Sequence, residues 1–388
     1  MKSKYLILIA FLVLSCKSPE KNLYQFDPRT LKENKITLSE IADDITYIPL
    51  DNSMPMGLIY YPRYFVNNSI YLSTMNSGIL VFDRKGKLIR KIGAFGRGPG
   101  EYTYCYYFTV DDKNETVYVL DSKIIKVYSK SGNFLRSFSL NENGSSFDAI
   151  EFSNSKLFLQ NSIQYEDTRY EWIVLDTLGN LVKTKRRTDQ PFSVNWSAGG
   201  GMYKLENRIY CWNPWRDTIF SILPDLSNEP SFLFAPWENR VPRSMITDIS
   251  QFQTFNTPNS VFETNNYLLC GYTYNKKIGL ALIDKKIKKS YLTYLEPGPH
   301  SYGTTLIGGI FNDFDAGVRF QPENYYEEKN REYIISLINP IDIKALVKTN
   351  EFKRSQPKYP EKKKELEQLA TSLKETDNQI LMIVKLKK

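Results

Sequence analysis

The segment SIYLSTMNSGILVFDRKGKLIRKIG (69–93) returns at 116–140 as TVYVLDSKIIKVYSKSGNFLRSFSL, and in expanded form at 156–186 as KLFLQNSIQYEDTRYEWIVLDTLGNLVKTKR. Each copy reads as a short strand, a turn, a second strand, a glycine hairpin and a third, amphipathic strand. The landmarks Asp83, Ser129 and Asp176 lie 46 and 47 residues apart, a spacing that suits a four-stranded propeller blade. The hairpins DRKGK, SKSGN and DTLGN each place Gly where a tight loop needs positive φ. Period-two alternation is clear over 88–92 and 134–138, and helical periodicity is absent from this region. Residues 208–234 form a looser fourth copy and 266–295 a fifth.

Such a repeat buries its faces only against its neighbours, so the copy number sets the fold. Residues 45–386 would nearly hold seven copies at the short spacing, but the later ones carry long insertions, and six are expected. The sixth is expected to begin near TTLIGGIF (304–311), to continue through GVRFQPENYY and REYIISLI, and to include helical decoration. PEKKKELEQLATSLKE (360–375) reads as the one helix, with Leu366, Leu369 and Leu373 on one face. The 27 Tyr and 22 Phe of the chain favour pleated strands. ITYIPLD (45–51) is a lone strand near one end and QILMIVKLKK an alternating strand at the other. Pairing them in one blade would close the ring and hide its edge. The expected fold is therefore all-β: a six-bladed β-propeller of four-stranded antiparallel blades with a short C-terminal helical decoration. Its expected divisions are a signal peptide at 1–15, a tether at 16–40 and the propeller at 41–388.

The first residues, MKSKYLILIAFLVLSC, combine a basic start, an apolar run too short to span a bilayer, and Leu14-Ser15-Cys16. That arrangement resembles a bacterial lipobox, in which Cys16 accepts a diacylglycerol and the acyl chains anchor the protein. Lys17 follows instead of Asp, which favours the outer membrane, facing periplasm or exterior. KSPEKNLYQFDP reads as a polar tether. The formal charge of +8 falls to +6 once Lys2 and Lys4 are removed with the leader, and the excess lysines are scattered apart from clusters at 362–364 and 385–388. A nucleic-acid partner would need a basic face with interleaved aromatics, so a solvated lysine-rich surface is expected instead.

Beyond Cys16 there are three cysteines, Cys105, Cys211 and Cys270, and one histidine, His300. An odd thiol count forbids complete internal pairing, and a Cys211–Cys270 bridge is not expected. One histidine removes most zinc sites and His-based triads unless His300 is itself the base. It lies in a Pro/Gly loop and is expected to be solvated. WNPWRD (212–217) is read as core and turn packing, with sugar stacking by exposed tryptophans as the alternative.

ITYIPLD, ILVFDRKGKLIRKIGAFGRGPGEY and QILMIVKLKK together resemble the six-bladed β-propeller lipoproteins of Bacteroidota, similar in fold to NHL-repeat propellers. The resemblance covers nearly all of the chain after the leader. Its most specific element is the signature matched by Gly96, Gly98, Pro99, Gly100, Glu101 and Tyr102, with Gly93 just before it. It implies an architecture and a cell-envelope address but no catalytic residues. The later blades lack a second clean copy of the signature.

The glycine run lacks both dinucleotide and P-loop spacings and leads into a strand, so no helix N-terminus receives a phosphate. It is read as a crossing from the outer strand of one blade to the inner strand of the next, with Pro99 stiffening it and Glu101 bonding loop amides. A residue entering an inner strand lines the channel mouth, which makes Arg97, Glu101 and Tyr102 the candidate ligand contacts. No catalytic residue, cofactor or protein-ligated metal is expected. The leading expectation is a lipid-anchored, monomeric envelope propeller that binds a protein partner or a small ligand such as a glycan. The rival is a lactonase- or lyase-type enzyme, which would need three or four Glu, Asp, Asn or His side chains around a channel metal. A third expectation is a structural part of a surface nutrient-uptake complex.

Overall fold

The glycine hairpins close as their sequences require. Asp83, Ser129 and Asp176 each donate their N–H at 2.9 Å to the carbonyl four residues on, at Lys87, Asn133 and Asn180. Gly86, Gly132 and Gly179 take φ of 85°, 91° and 95°, where a Cβ is strained. Oδ1 of Asp83 and of Asp176 also accepts two loop N–H groups each, which tightens those turns.

The computed structural model describes residues 23–29, 34–140, 147–161, 169–188, 200–234, 241–245, 248–297 and 306–388. Their long strands form six antiparallel sheets. Blade 1 is built from Ile59–Val66, Ser69–Thr74, Gly78–Asp83 and Leu88–Ile92. Blade 2 holds Tyr107–Val110, Val117–Asp121, Ile124–Tyr128 and Phe134–Ser139. Blade 3 holds Ala149–Ser153, Lys156–Gln160, Tyr170–Asp176 and Leu181–Arg186. Blade 4 comprises Gly201–Leu205, Arg208–Trp212, Thr218–Ile222 and Asn228–Phe234. Blade 5 comprises Thr257–Glu263, Tyr267–Tyr274, Lys277–Asp284 and Lys289–Pro297, with Leu306–Gly308 as a fifth strand. Blade 6 comprises Asn324–Glu328, Arg331–Ile338, Ile380–Leu386 and, outermost, Ala42–Pro49.

The first strand of each blade contacts the first strand of the next, and that of blade 6 contacts that of blade 1. The ring is thus a closed six-bladed propeller with those strands around its axis. The middle strands are the most apolar and the most buried, as in SIYLST and VYVLD, every residue of which is buried. Outer strands such as LVKTKR are largely exposed. In blade 6, Ala42–Pro49 lies antiparallel to Ile380–Leu386, with Ile45 opposite Val384 and Tyr47 opposite Met382. Strands from the two ends of the chain thereby share one sheet.

Three expectations need correction. TTLIGGIF does not start blade 6: Leu306–Gly308 pairs with Lys289–Pro297 as the outer edge of blade 5, and blade 6 starts at Asn324. The helical decoration is three helices, Pro340–Lys348, Asn350–Arg354 and Pro360–Ser372, all between the second and third strands of blade 6. They dock through Ile343, Phe352 and Leu366, and Lys344 Nζ donates to the carbonyls of Ala370 and Leu373 at 3.1 and 2.7 Å, capping the last helix. Finally, the described part of the expected tether is not free. Gln25–Phe26 pairs in parallel with the outer strand of blade 4, and Phe26 is fully buried. Asn34 bridges to Leu292 of blade 5, Thr37 to Phe311, and Leu38–Ile41 forms a short buried helix leading into blade 6. The aromatic residues of NLYQFDP find a groove between blades, and burying them outweighs leaving them solvated. Residues 16–22 and 30–33 lie outside the described residues.

Candidate functional site

Inner strands face two environments at once, the neighbouring blade and the axis. Most carry one charged residue among apolar ones: Arg63 in blade 1, Glu151 in blade 3, Lys204 in blade 4 and Glu263 in blade 5. A charge in such a strand must be paired or must face a polar space. Both solutions occur here. Lys204 Nζ reaches Asp112 of blade 2 at 2.8 Å. Glu263 accepts from the Tyr203 hydroxyl at 2.6 Å and from Lys285 Nζ at 2.8 Å, tying blade 4 to blade 5.

Arg63 and Glu151 line a cavity of about 370 Å³, together with Tyr107, Met202, Ser260 and Glu323. These residues come from all six blades, so the cavity sits on the propeller axis. The Arg63 side chain is 5% exposed, and its Nη2 lies 2.7 Å from Glu323 Oε2 of blade 6. Asn324 Nδ2 donates to the Arg63 carbonyl, fixing the backbone from the same neighbour. Nε and Nη1 of Arg63 have no hydrogen-bond partner among the described residues. Glu323 Oε1 in turn accepts the Leu337 N–H at 3.1 Å. Across the axis, Glu151 accepts from the Tyr64 hydroxyl at 3.1 Å. Burial raises the Glu151 carboxyl to about 7, opposed by the nearby Lys204 charge and the Tyr64 bond. The cavity wall therefore combines an Arg63 already paired with Glu323, its Nε and Nη1 buried out of reach of the open space, with a carboxyl poised to titrate near neutrality.

The glycine run lies elsewhere, and none of Arg97, Glu101 and Tyr102 lines the cavity. The crossing folds back on itself: Gly96 N–H donates to the Tyr102 carbonyl at 3.1 Å, and Tyr102 N–H to that of Ala94 at 2.9 Å. Glu101 Oε2 accepts the Gly98 N–H at 2.9 Å, and a Cβ on Gly96 would collide with this carboxylate. Gly93 takes φ of 57° and lies against the rings of Tyr102 and Tyr128. Pro99 is exposed, and Gly100 packs on Phe134 of blade 2. Tyr102 is fully buried; its hydroxyl accepts from Ile79 N–H at 3.0 Å and donates to the Ile92 carbonyl at 2.8 Å. Arg97 is exposed. The crossing enters its inner strand only at Tyr107, and it is Tyr107 that reaches the cavity. Glu101 stands a whole loop ahead of the strand it leads into.

The other sequence candidates also resolve. Trp212 and Trp215 are buried, and Arg216 Nη2 pairs with Glu171 at 2.8 Å, so WNPWRD packs and offers no exposed stacking face. Cys105, Cys211 and Cys270 are free thiols. Burial raises the Cys105 thiol to about 11 and pushes Cys211 and Cys270 upward too, so all three stay protonated near neutrality. Cys16 and His300 lie outside the described residues. Among the described residues no three His, Cys, Asp or Glu side chains are grouped so as to hold a metal ion, and no helix is long and apolar enough to cross a membrane.

The fold has counterparts among solved structures. A Bacteroides fragilis NCTC 9343 protein assigned as exported superposes with a TM-score of 0.69 at 19% identity, over 94% of this chain and 99% of that one. A DUF4221 family member from Bacteroides vulgatus ATCC 8482 gives 0.53 at 11% identity, over 92% of this chain and 100% of that one. No curated protein matches the chain. A family model described as a domain of unknown function, DUF4934, matches residues 23–385.

Proposed function

The chain belongs to that family, and from this premise we propose that it is a lipid-anchored binding module of the bacterial cell envelope, taking a small ligand into the mouth of its central channel. The axial cavity is the observation that carries the reading. Its volume falls in the range of small-molecule sites, and its wall is apolar with a few convergent polar groups. The lipobox-like Leu14-Ser15-Cys16 supports the anchor, and the Lys17 that follows it favours the outer membrane. A channel enzyme with a bound metal has less support, because Glu323 and Glu151 are engaged by Arg63 and Tyr64, and among the described residues no three acids, histidines or cysteines are grouped as ligands.

The test has two parts. In cells fed a labelled fatty acid, the full chain should carry label and fractionate with the outer membrane, and Cys16→Ser should abolish both. In a thermal-shift screen of small metabolites, at least one compound should raise Tm. Ser260→Trp, which fills the cavity from an exposed wall position, should erase that rise while the apo protein still melts cooperatively. A screen in which hits survive Ser260→Trp would move binding away from the channel.

A further inference from the structure

We propose that the channel ligand is a small organic amine, bound as its ammonium ion against Glu151. This rests on the channel-binding reading and names its ligand class. Glu151 comes from the inner strand of blade 3, is only 6% exposed, and forms part of the wall of the axial cavity. One carboxylate oxygen, Oε1, accepts the Tyr64 hydroxyl. The other, Oε2, has no donor among the described residues, since the neighbouring Phe152 N–H is given to Thr109 Oγ1 at 3.0 Å. Unlike the Arg63 nitrogens, Oε2 is not sealed inside the protein, so the open side it presents is the cavity. Water there can bond the oxygen but leaves its charge unmatched, and a buried charge is costly until it is paired. An ammonium supplies both the N–H donors and the charge.

The rest of the wall has the charge balance of a cation site. Arg63 is matched by Glu323, and Lys204 by Asp112. What remains in the lining among the described residues is acidic, Asp148 and Glu151 from one segment of blade 3. An anion entering the cavity would meet this excess, whereas a cation is drawn in by it. The groups facing Glu151 are Tyr64 from blade 1, Tyr107 from blade 2 and Lys204 from blade 4. Asp148 precedes it on its own segment, and the Arg63–Glu323 pair stands across the cavity. With its carboxyl raised to about 7, Glu151 holds a proton at lower pH and carries its charge at higher pH. Affinity for a cation therefore rises with pH through this range, and binding near neutrality expels the proton. Tyr107, Met202, Val261 and Phe262 line the remainder, which suits an amine with an apolar or ring-shaped body.

The probes are the straight-chain primary amines from ethylamine to hexylamine and 2-phenylethylamine, each beside the alcohol of the same skeleton. Benzoate and magnesium chloride form separate arms. All are titrated into the full chain in detergent at pH 6 and pH 8, where these amines stay protonated. At least one amine should give saturable stabilisation that its alcohol does not, with affinity about fivefold tighter at pH 8. Calorimetry at pH 7 should show a heat that scales with the ionisation enthalpy of the buffer, the mark of a released proton. Glu151→Gln keeps an acceptor for Tyr64 and should fold. It should weaken the amine by roughly tenfold and flatten its pH dependence. Amines and alcohols binding alike, benzoate or magnesium alone binding, or amine binding indifferent to Glu151→Gln would each overturn the assignment. If alcohols or benzoate bind and Ser260→Trp blocks them, the channel reading stands and the ammonium assignment falls. If amine binding survives Ser260→Trp, or nothing binds at all, both fall.

Discussion

Tyr102 and Tyr107 sit on one crossing, yet Tyr102 seals two backbone groups inside blade 1 and Tyr107 reaches the cavity wall. The glycines announce a crossing but not its length, because how far the chain runs before its next strand depends on how the loop folds back. Arg63 and Glu151 were readable in principle as lone charges in apolar inner strands. Their convergence was not, because residues 88 apart in sequence meet only through ring closure. Glu151 has a thermodynamic signature of its own. Its carboxyl is raised to about 7 from an ordinary 4.5, so between those values the folded chain keeps a proton that the unfolded chain has lost. This group's cost to stability is therefore small below pH 4.5, grows as pH rises and is complete above 7. Glu151→Gln keeps an acceptor for Tyr64 and removes the titration. By denaturant unfolding, the variant should gain on the wild type by roughly 1 kcal/mol at pH 5 and about 3 kcal/mol at pH 8. An offset that does not change with pH would place the carboxylate in contact with water.

At the scale of elements, the blades that keep the short repeat were legible because glycine hairpins and alternation act within a few residues. The strap was not. Nothing local in NLYQFDP shows that Phe26 will insert between Phe234 of blade 4 and Tyr272 of blade 5, with ring centroids 6.4 and 5.2 Å away, since that groove exists only once both blades have formed. The first two helices of blade 6 were hidden for the same reason, being held through Ile343 and Phe352. The strap's contribution can be measured. Phe26→Ala removes a fully buried aromatic side chain and should lower unfolding free energy by about 3–5 kcal/mol, with little change in the denaturant slope. A loss below about 1 kcal/mol would return residues 23–29 to the status of a tether.

For the molecule as a whole, the ring is held by a sheet whose strands come from the two ends of the chain. Ile380–Leu386 is the middle member of that closure, with Ala42–Pro49 on one side and Arg331–Ile338 on the other. Removing an outermost strand would leave one new edge; removing this one leaves two and opens the blade. Six of its seven residues also have side chains in the cores, Ile380, Met382, Val384 and Leu386 toward the blade 5 side and Leu381 and Ile383 toward blade 1, so its loss empties both interfaces of blade 6. The cavity depends on the same closure, since Glu323 enters from blade 6 to hold Arg63 of blade 1. A chain ending at residue 379 should therefore lose the native circular dichroism spectrum and its cooperative melt throughout, instead of settling as five intact blades. Supplying residues 379–388 as a co-expressed peptide should recover part of the folded population. If the shortened chain melts cooperatively with a native circular dichroism spectrum, the ring is held by blade-to-blade packing alone, and the shared sheet is a convenience of chain layout.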